Sequence, residues 1–149
     1  MVGTRETEHH TTGPPIGPGA SAYSPLGRGF LSGAVRTPED IPEGDTRRIF
    51  PRFAEENFAD NVAAAERVAE IAKSMNVSPA QLALAWVLAQ WDGVLPIPGT
   101  KKRKYLEENA DAATIELTAD ALAEIDRRLP ESLVHGERYP AIMLDTLNN

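Results

Sequence analysis

Cysteine is absent from this chain of 149 residues. Without thiols the chain has neither a disulfide framework nor a thiolate metal site. Long apolar runs are missing too, because the longest, Leu82 to Ala89, is well short of the roughly 18 residues that span a membrane. The N-terminal stretch carries charged and polar residues where a signal peptide has an apolar region, so we expect a cytoplasmic protein.

The chain also has no excess of positive charge. It contains 15 lysines and arginines against 22 aspartates and glutamates, and its net charge is -7. This balance argues against general binding to nucleic acid or to an anionic membrane. Val68 to Trp86 places a short turn between two predicted helices, as in DNA-binding helix-turn-helix modules, but the second helix offers Leu and Trp instead of base-reading groups. Thr46 to Phe53 mixes arginines with aromatics that could stack on bases. In so acidic a chain, packing of these aromatics under arginine stems is the better interpretation. We expect neither a nucleic acid nor a membrane partner.

One basic cluster stands out against this acidic background. Lys101–Lys104 are consecutive and begin a predicted helix, where cations oppose the helix dipole and repel one another. An anion would compensate this charge, and Gly99 and Thr100 just before it offer backbone N–H groups and a hydroxyl. Glu108 and Asn109 lie one to two turns on and could hydrogen-bond a heterocycle. The pattern favours a nucleotide phosphate site, and the alternative is a solvated start of a helix.

A second segment, AYSPLGRGFLSG from Ala22 to Gly33, ends a predicted strand with a loop rich in glycine. Together with the basic cluster, the two predicted helices between them and GERYP at Gly136–Pro140, it resembles the last two strand-loop units of the aldo-keto reductase family. That family reduces aldehydes and ketones to alcohols with NADPH held across a (β/α)8 barrel. The resemblance implies an α/β fold, the C-terminal part of a TIM barrel, mostly helical with two short parallel strands. The barrel is incomplete, because a whole one takes about 250 residues.

The resemblance also implies which residues contact NADP(H). The position of Tyr105 is Arg or Gln in much of the family and that of Gly99 is often Lys, so the 2'-phosphate contact falls to Lys101 or Arg103. This favours NADP over NAD. The implied contacts are Tyr23 at the nicotinamide, Ser24, Leu26 and Gly27 over the pyrophosphate, Gly99, Thr100, Lys101 and Arg103 at the ribose 2'-phosphate, and Glu108 and Asn109 at adenine.

The catalytic residues of the family have no counterpart in this sequence. The family uses a Tyr acid, a Lys paired to an Asp, and a His, all from the first half of its barrel. The three tyrosines here belong to C-terminal segments, and His9, His10 and His135 do not stand in the family order. We assign no catalytic residue and no metal ligand. The small-molecule carbonyl substrate belongs to the intact family, and we expect this chain alone to be inactive.

The similarity begins near strand seven of the family barrel, which suggests a truncated, fused or misread product. We expect a flexible segment outside the family over residues 1–20 and a partial reductase domain over residues 21–149. Helical periodicity and capping signals predict three further elements after a surface loop from Arg36 to Pro51. They are helices over about Asp60–Met75, Ser78–Ala89 and Thr118–Leu129.

A non-catalytic interaction protein is the remaining alternative. Helices that cover a barrel expose apolar faces when most strands are missing, and Leu82 to Ala89 would be such a face. This predicts loose packing or association through exposed apolar surface.

Overall fold

The computed structural model describes residues 20–90 and 93–143 of the chain. Strands β1, Ala20–Tyr23, and β2, Val94–Ile97, pair in parallel as an open two-stranded sheet. Their register places Ala20 beside Val94 and Tyr23 beside Ile97. The flexible segment predicted for residues 1–20 lies outside the described residues, apart from Ala20, which begins β1.

In the described part of the chain, four complete α-helices make up most of the regular structure. Two lie between the strands and supply the long connection that parallel pairing requires, and two follow β2. The chain is therefore mostly helical with two parallel strands, as predicted. The helices are α1, Glu55–Ser74; α2, Pro79–Leu88; α3, Arg103–Asp111; and α4, Ala119–Arg128.

Local capping signals set the start of α2, as predicted. The Ser78 hydroxyl accepts a hydrogen bond from the Gln81 N–H at 3.1 Å, and the Gln81 side chain accepts one from the Ser78 N–H at 3.0 Å. The predicted start of α1 at Asp60 is wrong, because the helix begins at Glu55. Its first turn carries Glu55 and Glu56, whose charges suit the positive end of the helix dipole. The apolar periodicity used for the prediction becomes regular only later in the helix.

The main core forms where α1, α2 and α4 meet β2. The apolar face of α2 packs inside it, so Leu82 to Val87 are buried. The prediction that this helix exposes an apolar face is therefore wrong, because α1, β2, α3 and the turn at Ala112–Thr114 pack against it, and Ile125 of α4 joins its core. The buried members of this core are Val68, Ile71, Ala72, Leu82, Trp86, Val87, Val94, Ile125 and Leu129.

A second core lies under the connection between β1 and α1. The surface loop predicted from Arg36 to Pro51 is only partly correct, because this stretch contains short 3-10 turns and buries Ile41 and Phe50. Phe30 stacks on Phe53 with ring centres 4.5 Å apart. Aromatic burial thus fixes a segment that lacks helical or strand periodicity.

Candidate functional site

The loops that follow β1 and β2 leave the same edge of the sheet. Parallel pairing in register puts the carboxyl end of β1, at Tyr23, directly beside the carboxyl end of β2, at Ile97. Neighbouring strands are about 4.8 Å apart. The glycine-rich loop and the turn at Gly99 and Thr100 therefore start side by side, although more than seventy residues separate them in the sequence.

The loop after β1 turns back through left-handed backbone conformations. Ser24 has a φ of 49° and Gly27 a φ of 58°, and the Gly27 N–H donates to the Ser24 carbonyl at 3.0 Å. The Gly29 N–H donates to the carbonyl of Leu26 at 3.1 Å. The backbone N–H groups of Leu26 and Arg28 are not donors in the turn and loop hydrogen bonds among residues 20–90 and 93–143. Such a curled loop presents N–H groups to an anion.

Tyr23 is held by the segment that follows α4, residues 129–143, which is called the tail. Its hydroxyl shares a short hydrogen bond with the hydroxyl of Tyr139. Arg138 donates from Nη2 to the Tyr23 carbonyl at 3.3 Å, and its Cζ lies 4.3 Å from the centre of the Tyr23 ring. Burial, together with the bond to Tyr139, raises the pKa of Tyr23 above its ordinary value of 10.0. The ring is therefore held at the strand end and its hydroxyl stays protonated.

The same contacts act oppositely on Tyr139. Burial alone would raise the pKa of Tyr139, but its hydrogen bonds with Tyr23 and Arg138 and the charges of Arg138 and Arg28 outweigh it. The pKa of Tyr139 is therefore lowered. Of the two hydroxyls, that of Tyr139 therefore loses its proton at the lower pH.

The turn after β2 leads into a helix that begins with cations. Lys102 is the N-cap of α3, and the first turn contains no acidic residue. Thr100 organises the turn, because its hydroxyl accepts from the Lys102 N–H at 3.1 Å. Arg103 forms an exposed ion pair with Glu107, Nε to Oε1, at 2.8 Å. This geometry agrees with a helix start at which positive charge is concentrated and solvent-accessible.

The other residues predicted on this side lie on the same turn and helix. Lys101 is exposed, and Glu108 and Asn109 are half-buried on α3. A Cβ atom added to Gly99 would meet no other atom within 4 Å, so packing does not require glycine there. The structure thus brings Gly99, Thr100 and Lys101 together by sequence proximity and sets them beside the loop that follows Tyr23.

Three arginines beside Tyr23 were not predicted as site residues. Arg28 lies with its Cζ 3.9 Å from the centre of the Phe50 ring and 5.2 Å from that of Tyr139. Arg52 and Arg138 are half-buried, and burial lowers the pKa of each. The sequence carried a signal for Arg52 alone, the mixture of arginines and aromatics in Thr46–Phe53. Phe50 and Phe53 of that segment are buried, but the arginine that lies over the Phe50 ring is Arg28, from the earlier loop.

Asn61 on α1 holds the tail against this region. Its side-chain amide donates to the carbonyls of Arg52 and His135, each at 2.8 Å, and its Oδ1 accepts from the His135 N–H at 2.8 Å. Gly136 follows with a φ of 83°. His135 itself is exposed, and its Nδ1 lies 3.8 Å from the Asp60 carboxylate.

The described residues lack two other features, a metal site and a membrane span. No cluster of three or more His, Asp or Glu side chains there is arranged to hold a metal ion. In the same part of the chain, no helix combines the length and apolar character needed to cross a membrane.

Comparison with known proteins identifies the family. The model of the aldo/keto reductase family matches residues 17–129. The aldo-keto reductase yakc [NADP(+)] of Schizosaccharomyces pombe is 50% identical over 118 residues, which cover 79% of this chain and 35% of that protein. The aldo-keto reductase str7 of Strobilurus tenacellus is 44% identical over 117 residues, which cover 78% of this chain and again 35% of the relative. The chain thus spans about a third of the length of these relatives, and it belongs to the aldo/keto reductase family.

Proposed function

We propose that this chain is the NADP(H)-binding part of an aldo-keto reductase, built as the C-terminal portion of a (β/α)8 barrel. The observation that carries this proposal is the parallel pairing of β1 and β2, which sets Tyr23 beside Ile97. Ligands of parallel α/β folds bind at the carboxyl ends of the strands. Both segments that resemble cofactor loops start at that edge. The name of the yakc relative, which includes NADP(+), supports this choice of cofactor.

Tyr23 and the loop after it serve the reactive end of the cofactor in this proposal. The ring of Tyr23 lies against the nicotinamide, and its contacts to Tyr139 and Arg138 hold it in place. Ser24, Leu26 and Gly27 cover the pyrophosphate, and the curled backbone directs N–H groups toward negative charge. The bound cofactor supplies hydride to a carbonyl carbon.

The start of α3 binds the adenosine end of the cofactor in this proposal. Gly99, Thr100, Lys101 and Arg103 surround the ribose 2'-phosphate, while Glu108 and Asn109 contact adenine. The side chain of Arg103 is 89% exposed in its ion pair with Glu107. Exposed pairs of this kind are worth about 0 to 1 kcal/mol, so exchanging the carboxylate for a phosphate costs little. Four adjacent cations at the beginning of the helix also gain from a bound dianion.

The substrate in this proposal is a small carbonyl compound, and the protein acts in the cytoplasm. Reduction also needs a positioned proton donor, which contributes roughly 10²- to 10⁴-fold to rate. We assign no such residue in this chain and expect that, alone, it does not reduce carbonyl compounds. Oxidation of NADPH above background by the purified chain, with a panel of aldehydes and ketones, would contradict this expectation.

Calorimetric titration of the chain with NADP+ and with NAD+ tests the cofactor proposal. Changing Lys101 and Arg103 together to Ala removes two charge-assisted hydrogen bonds to the 2'-phosphate. We expect NADP+ affinity to fall by about tenfold or more, while NAD+ affinity stays nearly constant. Changing exposed Arg67 and Lys73 to Ala removes the same charge from α1 and is the matched control. Equal affinity for the two dinucleotides, unaffected by the double substitution at α3, would refute the proposal.

A non-catalytic interaction protein is the second candidate, favoured by one observation. Leu95 and Ile97 are alternate residues of β2, so they lie on one face of the sheet, and they are 58% and 55% exposed. Changing both to Ser would lower self-association, measured by sedimentation, if this face binds another chain. Under the first proposal, the same changes leave the preference for NADP+ intact.

A further inference from the structure

Two half-buried arginines lie near the place where the hydroxyls of Tyr139 and Tyr23 meet. Arg28 lies over the Phe50 ring, with its Cζ 3.9 Å from the ring centre. Arg52 donates from Nε to the Gly136 carbonyl at 3.4 Å. Burial and then the charge of Arg28 lower the pKa of Arg52, and both cations act on Tyr23. The geometry agrees, because Arg28 Cζ also lies 5.2 Å from the centre of the Tyr139 ring, and the acceptor of Arg52, Gly136, is only three residues before Tyr139. The two side chains therefore share one region at the carboxyl edge of the sheet.

This positive charge is poorly compensated. Arg47, Arg103, Arg127 and Arg128 each form an ion pair with a carboxylate, at 2.7 to 3.5 Å. Within the described residues, neither Arg28 nor Arg52 has a carboxylate at ion-pair distance. Glu137 acts on Arg52 only from farther away and is exposed. Holding two like charges together while partly removing them from water is unfavourable unless an anion joins them.

The backbone around Arg28 adds to this imbalance. Arg28 has a φ of 54°, the left-handed conformation that side chains other than glycine seldom adopt. Its neighbour Gly29 has a φ of 114°, and the Arg47 guanidinium donates to the Arg28 carbonyl at 3.4 Å. The strained turn thus fixes the direction in which the Arg28 side chain leaves the loop. Strain of this kind is common at ligand-binding sites.

We infer that Arg28 and Arg52 form a binding site for one oxyanion, a carboxylate or phosphate group, beside Tyr23. The planar forks of two guanidinium groups match such an anion better than ammonium groups do. The anion could belong to a carbonyl substrate that carries a carboxylate, or to a phosphate of the dinucleotide. A simple anion can test the two arginines without any cofactor, so this site does not depend on the proposed function.

The test titrates the full chain with two probes, sodium pyruvate and inorganic pyrophosphate, followed by the NMR signals of the arginine Nε–H groups. We expect at least one probe to bind, more weakly as salt is added, and to shift the signals of Arg28 and Arg52. Arg28→Gln and Arg52→Gln should each raise the dissociation constant by about tenfold. Arg28→Lys, which keeps the charge but loses the fork, should give a smaller rise. Arg67→Gln removes an exposed arginine on α1 and should change nothing.

A second titration in the presence of NADP+ separates the two sources of the anion. Competition between probe and NADP+ assigns the site to a cofactor phosphate, and binding of pyruvate together with NADP+ assigns it to an anionic substrate. If NADP+ does not bind, the proposed function fails while the probe titrations still decide the oxyanion site. Circular dichroism melts identify a variant that fails to fold, and the two Arg28 variants then carry the test. Absence of binding by both probes, or equal binding by the parent chain and the Arg28 and Arg52 variants, would overturn the inference.

Discussion

The side-chain amide of Asn61 forms two hydrogen bonds, each 2.8 Å long, with the backbone N–H and carbonyl of His135, which is 74 positions away in the sequence. The same amide nitrogen donates to the Arg52 carbonyl, so all three connections pass through one side chain that is only 5% exposed. A buried polar group is stabilising only when its hydrogen bonds are made. Asn61 therefore joins three segments, α1, the turn at Arg52 and the tail, next to Tyr23.

Replacing Asn61 with Ala should lower the free energy of unfolding by roughly 2 to 4 kcal/mol, because it leaves an N–H and two carbonyls without their partner. Urea unfolding followed by circular dichroism measures the change. The matched control is Asn57→Ala, one turn earlier on α1, which loses a single hydrogen bond to the Pro51 carbonyl at 2.9 Å. We expect that control to lose about 1 kcal/mol. Equal losses in the two variants would show that the tail is not held through Asn61.

Gly136 gives a second test of tail packing. A Cβ atom there would lie 2.6 Å from Nδ2 of Asn57 and 2.8 Å from the Pro51 carbonyl oxygen, and the φ of 83° disfavours any other residue. Gly136→Ala should therefore destabilise the chain by roughly 2 to 5 kcal/mol, from backbone strain and overpacking together. The midpoint of thermal unfolding measures this loss of stability.

Gly44 separates the two contributions. It has nearly the same φ, 82°, but an added Cβ would meet nothing within 4 Å. Gly44→Ala should cost only the backbone part, about 1 to 2 kcal/mol. If both alanine variants lose the same stability, the close approach of the tail to Pro51 and Asn57 is not the reason for glycine at position 136.

Local signals in the sequence predicted those parts of the fold that local interactions determine. The start of α2 could be predicted from Ser78, Pro79 and Gln81, because a capping box needs only four consecutive residues. The burial of Ile41 and Phe50 was missed, since their partners in the second core include Phe58 and other distant residues. Aromatic packing of an irregular segment leaves no periodic trace in the sequence.

In the candidate site, too, the local features could be predicted from the sequence and the long-range contacts could not. Charge and glycine content drew attention to Lys101 and to the loop after Tyr23, because each is visible in a short window of sequence. The tail contacts were not predictable in this way. Tyr139 meets Tyr23 across 116 positions, and only the fold brings the Arg52 segment to both.

The pair of tyrosines predicts a pH dependence that single substitutions can separate. Burial raises the pKa of Tyr23, so above pH 10.0 the unfolded chain releases that proton while the folded chain keeps it. The folded state then binds more protons, and the free energy of unfolding falls as pH rises. We expect Tyr23→Phe to lose this alkaline fall, measured by urea unfolding at a series of pH values.

Tyr139 should act in the opposite direction. Although burial opposes it, the hydrogen bonds with Tyr23 and Arg138 lower its pKa, so the folded chain releases this proton before the unfolded chain does. From that lowered pKa up to the ordinary value of 10.0, the free energy of unfolding should rise with pH. Tyr139→Phe should remove the rise and also the earliest phenolate absorbance in the titration. Because Tyr23→Phe takes away one of the bonds that lower the pKa of Tyr139, it should delay that absorbance instead of removing it. Identical phenolate titrations in the two variants and the parent chain would contradict the coupling between Tyr23 and Tyr139.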